Sequence, residues 1–202
     1  MPVLYLASKS PRRREILASM GITDIEVITV GPAQRTAFEG DEVQLEGEAP
    51  EDYVSRTALT KARAALAALG GSSPVPVLAA DTVVILDDVI LGKPVDRNEA
   101  REFMKRLSGR THEVRTVVVT GTSDEDLQEA VSVSKVTFAR LSDETIERYI
   151  ALDEPYDKAG GYGIQGAAGL FISSIEGSYT GIMGLPVYET GLLLRPLGLT
   201  VV

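Results

Sequence analysis

An α/β fold is what the sequence predicts, and three observations predict it. A short apolar run, residues 3–7, passes directly into a turn and a helix start at Ser10-Pro11. Runs rich in Val, Ile and Leu then alternate with stretches whose apolar residues recur every three or four positions. The 202 residues, 44% of them hydrophobic, suffice for a real core in one domain spanning 1–202, or one domain of two lobes.

Ser10 is a suitable N-cap, and Pro11 fits the first helical position, where its missing N–H is no loss; the helix runs to about Met20 with Gly21 as its stop. Residues 25–30 read as a strand and the acidic stretch 39–52 as a loop. Pro50-Glu51-Asp52 open a long helix whose core stripe is Val54, Ala58, Ala62, Ala65, Leu66 and Leu69, stopped at Gly70-Gly71. Residues 75–86 are apolar except at Pro76 and Asp81-Thr82, and Asp87-Asp88 ahead of Val89-Ile90-Leu91 predicts a hairpin. Asp96 is an N-cap with Glu99 in the capping-box position, before a helix that buries Ala100, Phe103, Met104 and Leu107 and ends at Gly109.

Residues 114–119 and 131–141 read as strands joined by a polar turn, 121–126. In the second of them the apolar set moves from Val131 and Val133 to Val136 and Phe138, a change of phase that predicts a bulge. Ser142 caps a helix carrying Ile146, Tyr149 and Ile150. Phe171-Ile172 read as strand, and Gly184-Leu185-Pro186 lead into a last helix, 187–194.

Charge and composition exclude several classes. A net charge of -9 argues against a nucleic acid duplex as partner, which calls for a basic face. No cysteine is present, so neither a disulfide frame nor a thiolate site exists. No apolar stretch approaches the ~20 residues of a membrane span, and no leader pattern opens the chain, so a cytoplasmic protein is expected. With His112 as the single histidine there is no readable Ser–His–Asp triad and no histidine metal cluster, which leaves His112 structural or on the surface.

The chemistry-bearing residues sit at a few marked places. Arg12, Arg13 and Arg14 crowd the first turn of a helix, an end that already carries roughly half a positive charge from the helix dipole. Free N–H groups, the Ser8 and Ser10 hydroxyls and guanidiniums there suit phosphate oxygens, the alternative being a solvated basic run. Asp81 lies inside an apolar strand and must be paired, hydrogen-bonded, metal-bound or neutral, unless it merely bonds a neighbouring backbone at a strand end. Lys61 is at the edge of a helical stripe, where a snorkelling surface lysine is the simplest account. Lys93 follows Gly92 at a turn beside a helix start, and eight of the nineteen glycines fall in 160–184, either cradling a ligand or packing tight turns. Together these suit phosphate handling, with cations stabilising phosphoryl charge and Asp81 orienting water or holding a divalent ion.

Six ordered motifs then resemble one family. Leu6-Ala7-Ser8-x-Ser10-Pro11-Arg12-Arg13, Ala80-Asp81-Thr82-Val83-Val84, Gly92-Lys93-Pro94, Leu107-Ser108-Gly109-Arg110-Thr111-His112, Asp157-Lys158-Ala159-Gly160-x-Tyr162-Gly163-Ile164-Gln165-Gly166 and Gly184-Leu185-Pro186 resemble the Maf family of nucleoside triphosphate pyrophosphatases across nearly the whole chain. The resemblance implies an elongated mixed sheet flanked by helices, two lobes with a cleft between them (Maf/inosine triphosphatase-like), often as a homodimer. It implies hydrolysis between the α- and β-phosphates of a nucleoside triphosphate with Mg²⁺ or Mn²⁺. Asp81 matches the family's proposed general base; Ser8, Arg13, Lys61 and Lys93 match residues proposed to hold the triphosphate. Arg12, Thr82 and Gln165 match the positions that separate substrate classes, and at all three this chain looks like the branch acting on dTTP and UTP. An amide at 165 can both donate to and accept from the O4 and N3–H edge of thymine or uracil. One departure stands out: Pro32-Ala33 occupy positions where family members often carry acids, leaving Glu39, Asp41 and Glu42 as possible metal contacts. A nucleotide-binding regulator of septum formation that does not turn over its ligand is the alternative from another class.

Overall fold

The computed structural model describes residues 2–28 and 43–199. The end of the expected strand 25–30, Pro32-Ala33, Glu39, Asp41 and Glu42 lie outside the described residues. Among the described residues no helix is long and apolar enough to cross a membrane.

The architecture is α/β, with one seven-stranded mixed sheet flanked by helices. Its strands are β1 (Leu4–Leu6), β2 (Ile25–Val27), β3 (Ser72–Leu86), β4 (Val89–Leu91), β5 (Thr111–Ser123), β6 (Gln128–Phe138) and β7 (Ile172–Glu176), and its order is β2-β1-β3-β5-β6-β7 with β4 on β3. β1 pairs in parallel with β2 and β3, whereas β3 to β7 pair antiparallel. The helices are α1 (Pro11–Ser19), α2 (Pro50–Ala68), α3 (Arg97–Leu107), α4 (Asp143–Tyr149), α5 (Tyr179–Met183) and α6 (Val187–Leu194).

Side-chain alternation along β3 sorts the core. Val77, Ala79, Val83 and Ile85 meet the α2 stripe of Val54, Ala58, Ala62, Ala65 and Leu66 on one face. On the other face Leu78 and Ala80 pack with Ile16 and Leu17 of α1 and Leu194 of α6. Further along that face, Val84 and Leu86 pack with Phe103, Met104 and Leu107 of α3 and Ile146 and Tyr149 of α4. The β3–β4 hairpin turns on Asp87 and Asp88, both with positive φ (55° and 58°), a conformation that Asp and Asn tolerate better than most residues. Asp96 caps α3 by accepting from the N–H groups of Asn98 and Glu99, while the Glu99 carboxylate reaches back to Val95 N and not to the cap residue.

One sequence expectation gives way on β6. β6 has no bulge against β5, where the register runs unbroken from Thr111↔Thr137 to Thr120↔Gln128; the register shifts instead against β7, between Thr137↔Ser174 and Phe138↔Ile172, which puts the extra residue on β7. The packed face of β6 is Ser132, Ser134, Val136 and Phe138, and Val131 and Val133 point to solvent. Ser134 serves as a core residue because its Oγ accepts from Ser178 N (2.9 Å) ahead of α5, so burial leaves it satisfied. Of the two placements left open for His112, the structure shows the structural one: it is 3% exposed, with Nε2 2.6 Å from the Tyr162 hydroxyl and Phe138 edge-on. Burial without a counter-charge lowers its pKa to about 4.

Candidate functional site

The site begins as a gap in the sheet. On the side of β3 away from β5, β1 pairs with Val77 and Leu78, and β4 pairs with Val84 to Leu86. Between them, over residues 79–83, the β3 edge lacks a strand partner among the described residues, and Asp81 and Thr82 lie in that stretch. The chain leaving β1 crosses the gap through Ser8 to Ser10 and starts α1 at its rim. The resulting cleft, about 720 Å³, brings together all eight residues singled out in the sequence: Ser8, Arg12, Arg13, Lys61, Asp81, Thr82, Lys93 and Gln165. Arg14, the third of the basic run, is exposed and does not line it.

Because neighbouring strand residues point to opposite faces, Asp81 and Thr82 meet different helices. Asp81 faces α2, where Thr57 and Lys61, one turn apart, take one carboxylate oxygen each. Lys61 Nζ donates to Oδ1 (2.6 Å) and Thr57 Oγ to Oδ2 (3.0 Å). Lys61 is 8% exposed and paired, so the snorkelling account of it fails; the pair offsets the desolvation that either charge alone would suffer. Thr57 was missed in the sequence. Its one available signal is a position four residues before Lys61, on the same helical face.

Thr82 faces α1 and α5. Its hydroxyl lies 2.9 Å from that of Thr116, which donates to Gly181 O (2.8 Å). Arg13 donates to Ser8 Oγ (3.0 Å), Gly184 O (2.8 Å) and Thr82 Oγ (3.4 Å), so its guanidinium joins three chain segments at the cleft. Ser10 holds the N-cap position of α1 without a side-chain cap, leaving the first-turn N–H groups to other acceptors.

The far wall is the 157–165 segment. Asp157 stands across from Arg12 (3.7 Å) and is also paired with Lys158. Gly160 N donates to Gly92 O (2.9 Å), tying this wall to the Lys93 turn. With φ at 69° and the Val84 methyls 2.9 Å from where a Cβ would stand, position 160 admits only glycine. Lys93 and Gln165 are exposed and face the opening. Tyr53, Asp157, Lys158 and Tyr162 also line the cleft.

Chemically, the cleft holds the braced carboxylate of Asp81 on its floor, that of Asp157 at its far wall, cations on three sides and a helix start with unspent donors. Among the described residues no three His, Cys, Asp or Glu side chains gather as a metal cage.

Comparison with known proteins places the chain in a family. A family model described as Maf-like protein matches residues 3–197. The dTTP/UTP pyrophosphatase of Bordetella parapertussis is 48% identical over 202 residues, covering 99% of this chain and 95% of that protein. That of Bordetella avium is 49% identical over 200 residues (98% and 96%), and that of Dechloromonas aromatica 48% over 197 (96% and 97%). Among solved structures, the Staphylococcus aureus Ham1 protein aligns with 96% of this chain and 97% of its own at 14% identity and a TM-score of 0.48. A family match from the first strand to the last turn, with near half identity along the whole length, establishes that the chain belongs to the Maf-like proteins.

Proposed function

We propose that this protein is a nucleoside triphosphate pyrophosphatase acting on dTTP and UTP, releasing the monophosphate and pyrophosphate. The observation that carries this reading is the carboxylate of Asp81, held at the floor of a cationic cleft by Lys61 and Thr57. The names of the relatives support the substrate class. The chain works as one domain whose two lobes meet at the cleft.

In this reading the triphosphate lies along the α1 start, with its oxygens taken by Arg12, by Lys93 and by first-turn N–H groups. Arg13 orders Ser8 beside them. Asp81 accepts the proton of the water whose oxygen ends on the monophosphate, and the α–β anhydride bond breaks to give pyrophosphate. Lys61 and Thr57 fix the plane of that carboxylate, so the accepting oxygen needs no reorganisation when the water attacks. Each oxygen accepts a single hydrogen bond from these two residues and keeps a lone pair.

A divalent ion fits the donor set in one way. Mg²⁺ is commonly held by one or two carboxylates plus substrate phosphates, and Asp81 supplies one such carboxylate at the cleft floor. When bound, Mg²⁺ or Mn²⁺ supplies positive charge to the phosphoryl oxygens. Asp81 would hold such an ion jointly with the phosphate oxygens of the nucleotide.

The test is product identity. With Mg²⁺ or Mn²⁺, pyrophosphate from dTTP and UTP but not orthophosphate is expected, and none after chelation. Binding without release from any triphosphate would instead support a regulator that only senses nucleotides. Base reading has its own test: Gln165→Glu is expected to lower kcat/KM for dTTP and UTP about tenfold more than for CTP. A carboxylate cannot donate to O4, yet it can accept from the cytosine amino group. Equal losses on all three would remove Gln165 from base reading.

A further inference from the structure

Gln165 alone cannot separate uracil from cytosine. Its amide presents a donor and an acceptor side by side, and turning it over reverses the two, so it can pair with either edge. Main-chain groups cannot turn over, and the neighbouring residues Gly163 and Ile164 also line the cleft, the Gly163 carbonyl accepting from Gly166 N (3.0 Å) and keeping a second lone pair. They discriminate only if the loop that carries them is held still.

The structure holds it through Glu154. This residue lies at the start of the short 3-10 turn Glu154–Asp157, and its carboxylate reaches across to the turn Ala167–Phe171 that follows Gln165. Oε2 accepts from Ala167 N (2.8 Å) and Oε1 from Ala168 N (3.2 Å), and the Tyr149 hydroxyl donates to Oε1 (3.1 Å). The Glu154 carbonyl receives Lys158 Nζ (3.1 Å), which joins the same residue to the near side of the loop. The fit is tight from the other side as well. A Cβ at Gly166 would come within 2.5 Å of the Glu154 Cδ, although the backbone there, φ -102°, would accept alanine.

We infer that Glu154 is a positioning residue for pyrimidine choice: by clamping the backbone after Gln165 it fixes the Gly163-to-Gln165 segment that reads uracil or thymine against cytosine. This rests on the pyrophosphatase reading above. Glu154 makes no contact with the reacting phosphates in this account and acts only through the loop.

Two variants break the clamp from opposite sides. Glu154→Gln keeps the volume but turns an NH2 toward one of the two N–H donors, and Gly166→Ala displaces the carboxylate. Each is expected to lower the dTTP-to-CTP ratio of kcat/KM about tenfold, mainly through a higher KM for dTTP. Inhibition by inorganic tripolyphosphate, which has no base, should stay within about twofold of wild type, since the groups given to the phosphates, Arg12, Lys93 and the α1 start, are carried by other segments. The double variant should be no worse than either alone. Glu154→Asp, with the charge retained, should recover part of the ratio and serves where the other two fold poorly by thermal melting. A wild-type ratio in a folded variant, or equal loss on both nucleotides and on tripolyphosphate binding, overturns the inference. A wild-type enzyme that splits dTTP and CTP equally overturns it too, and a wild-type protein that splits neither overturns the pyrophosphatase reading itself.

Discussion

Asp81→Asn is expected to cut kcat for dTTP at least ~10²-fold, the scale of a lost general base, while nucleotide binding survives. The substitution is close to isosteric at this position. Its oxygen can face Lys61 and its NH2 can face the Thr57 hydroxyl, which is able to accept, so the braces on either side remain satisfied. What disappears is a group able to take a proton from water, together with one negative charge on the cleft floor. Pyrophosphate release measures the first effect, and calorimetric titration with a non-hydrolysable dTTP analogue measures binding. Retained turnover would reduce Asp81 to a structural partner of Lys61. A fall in melting temperature accompanied by loss of binding would say the same.

The second large effect concerns acid. The His112 imidazole is enclosed by Tyr162 and Phe138, and its Nδ1 is buried without a hydrogen-bond partner among the described residues. Burial depresses its pKa from 6.5 to about 4. Between those values the unfolded chain holds the proton and the folded chain does not, so stability falls as pH drops from 6.5 toward 4 and the loss is complete below that. Taken over the whole shift, the loss is about 3 kcal/mol. Carboxylates paired with arginine act lower on the scale: Glu48, drawn down to about 2 by Arg56, gives up its share only below about pH 4.5. The two windows are separable. Urea midpoints recorded from pH 7 to 4.5 should fall steeply in wild type and much less in His112→Gln. Parallel curves for the two proteins would mean that His112 takes its proton in the folded state as readily as in the unfolded one.

Reading the chain without coordinates reaches some of this and misses the rest for identifiable reasons. A carboxylate inside 75–86 is an anomaly in one dimension, so Asp81 is conspicuous. Lys61 is not, because its partner is twenty residues away on a strand and periodicity alone puts a stripe-edge lysine in water. Thr57 is invisible for a similar reason, since a threonine on a helical stripe reads as packing. The phase of β6 is hidden because valines read as the buried set; Ser132 and Ser134 take that role, and Ser134 is satisfied by Ser178 ahead of α5. α5, five residues with an internal glycine, offers too little periodicity to be seen at all. The family motifs supplied the joint placement of cations around one cleft, which propensity could not.

The two sides of the cleft belong to different parts of the folding problem. Ser8, Arg12 and Arg13 follow β1, while Asp81 and Thr82 sit on β3, and these strands meet in parallel across some seventy residues of intervening chain. Strands β3 to β7 need no such long closure between β3, β5 and β6, and local pairing of that kind forms more readily than distant pairing. A nucleotide gripping both sides is then a bolt across the seam, adding its binding free energy to the hold on the sheet's parallel edge. Amide exchange offers a direct view: bound nucleotide should slow Ala7 N–H, which donates to Leu78 O, more than the amides between β5 and β6. Uniform slowing would place the bolt elsewhere. On these terms substrate does more than occupy the enzyme; it fastens the last-closing edge of the sheet on which its own hydrolysis depends.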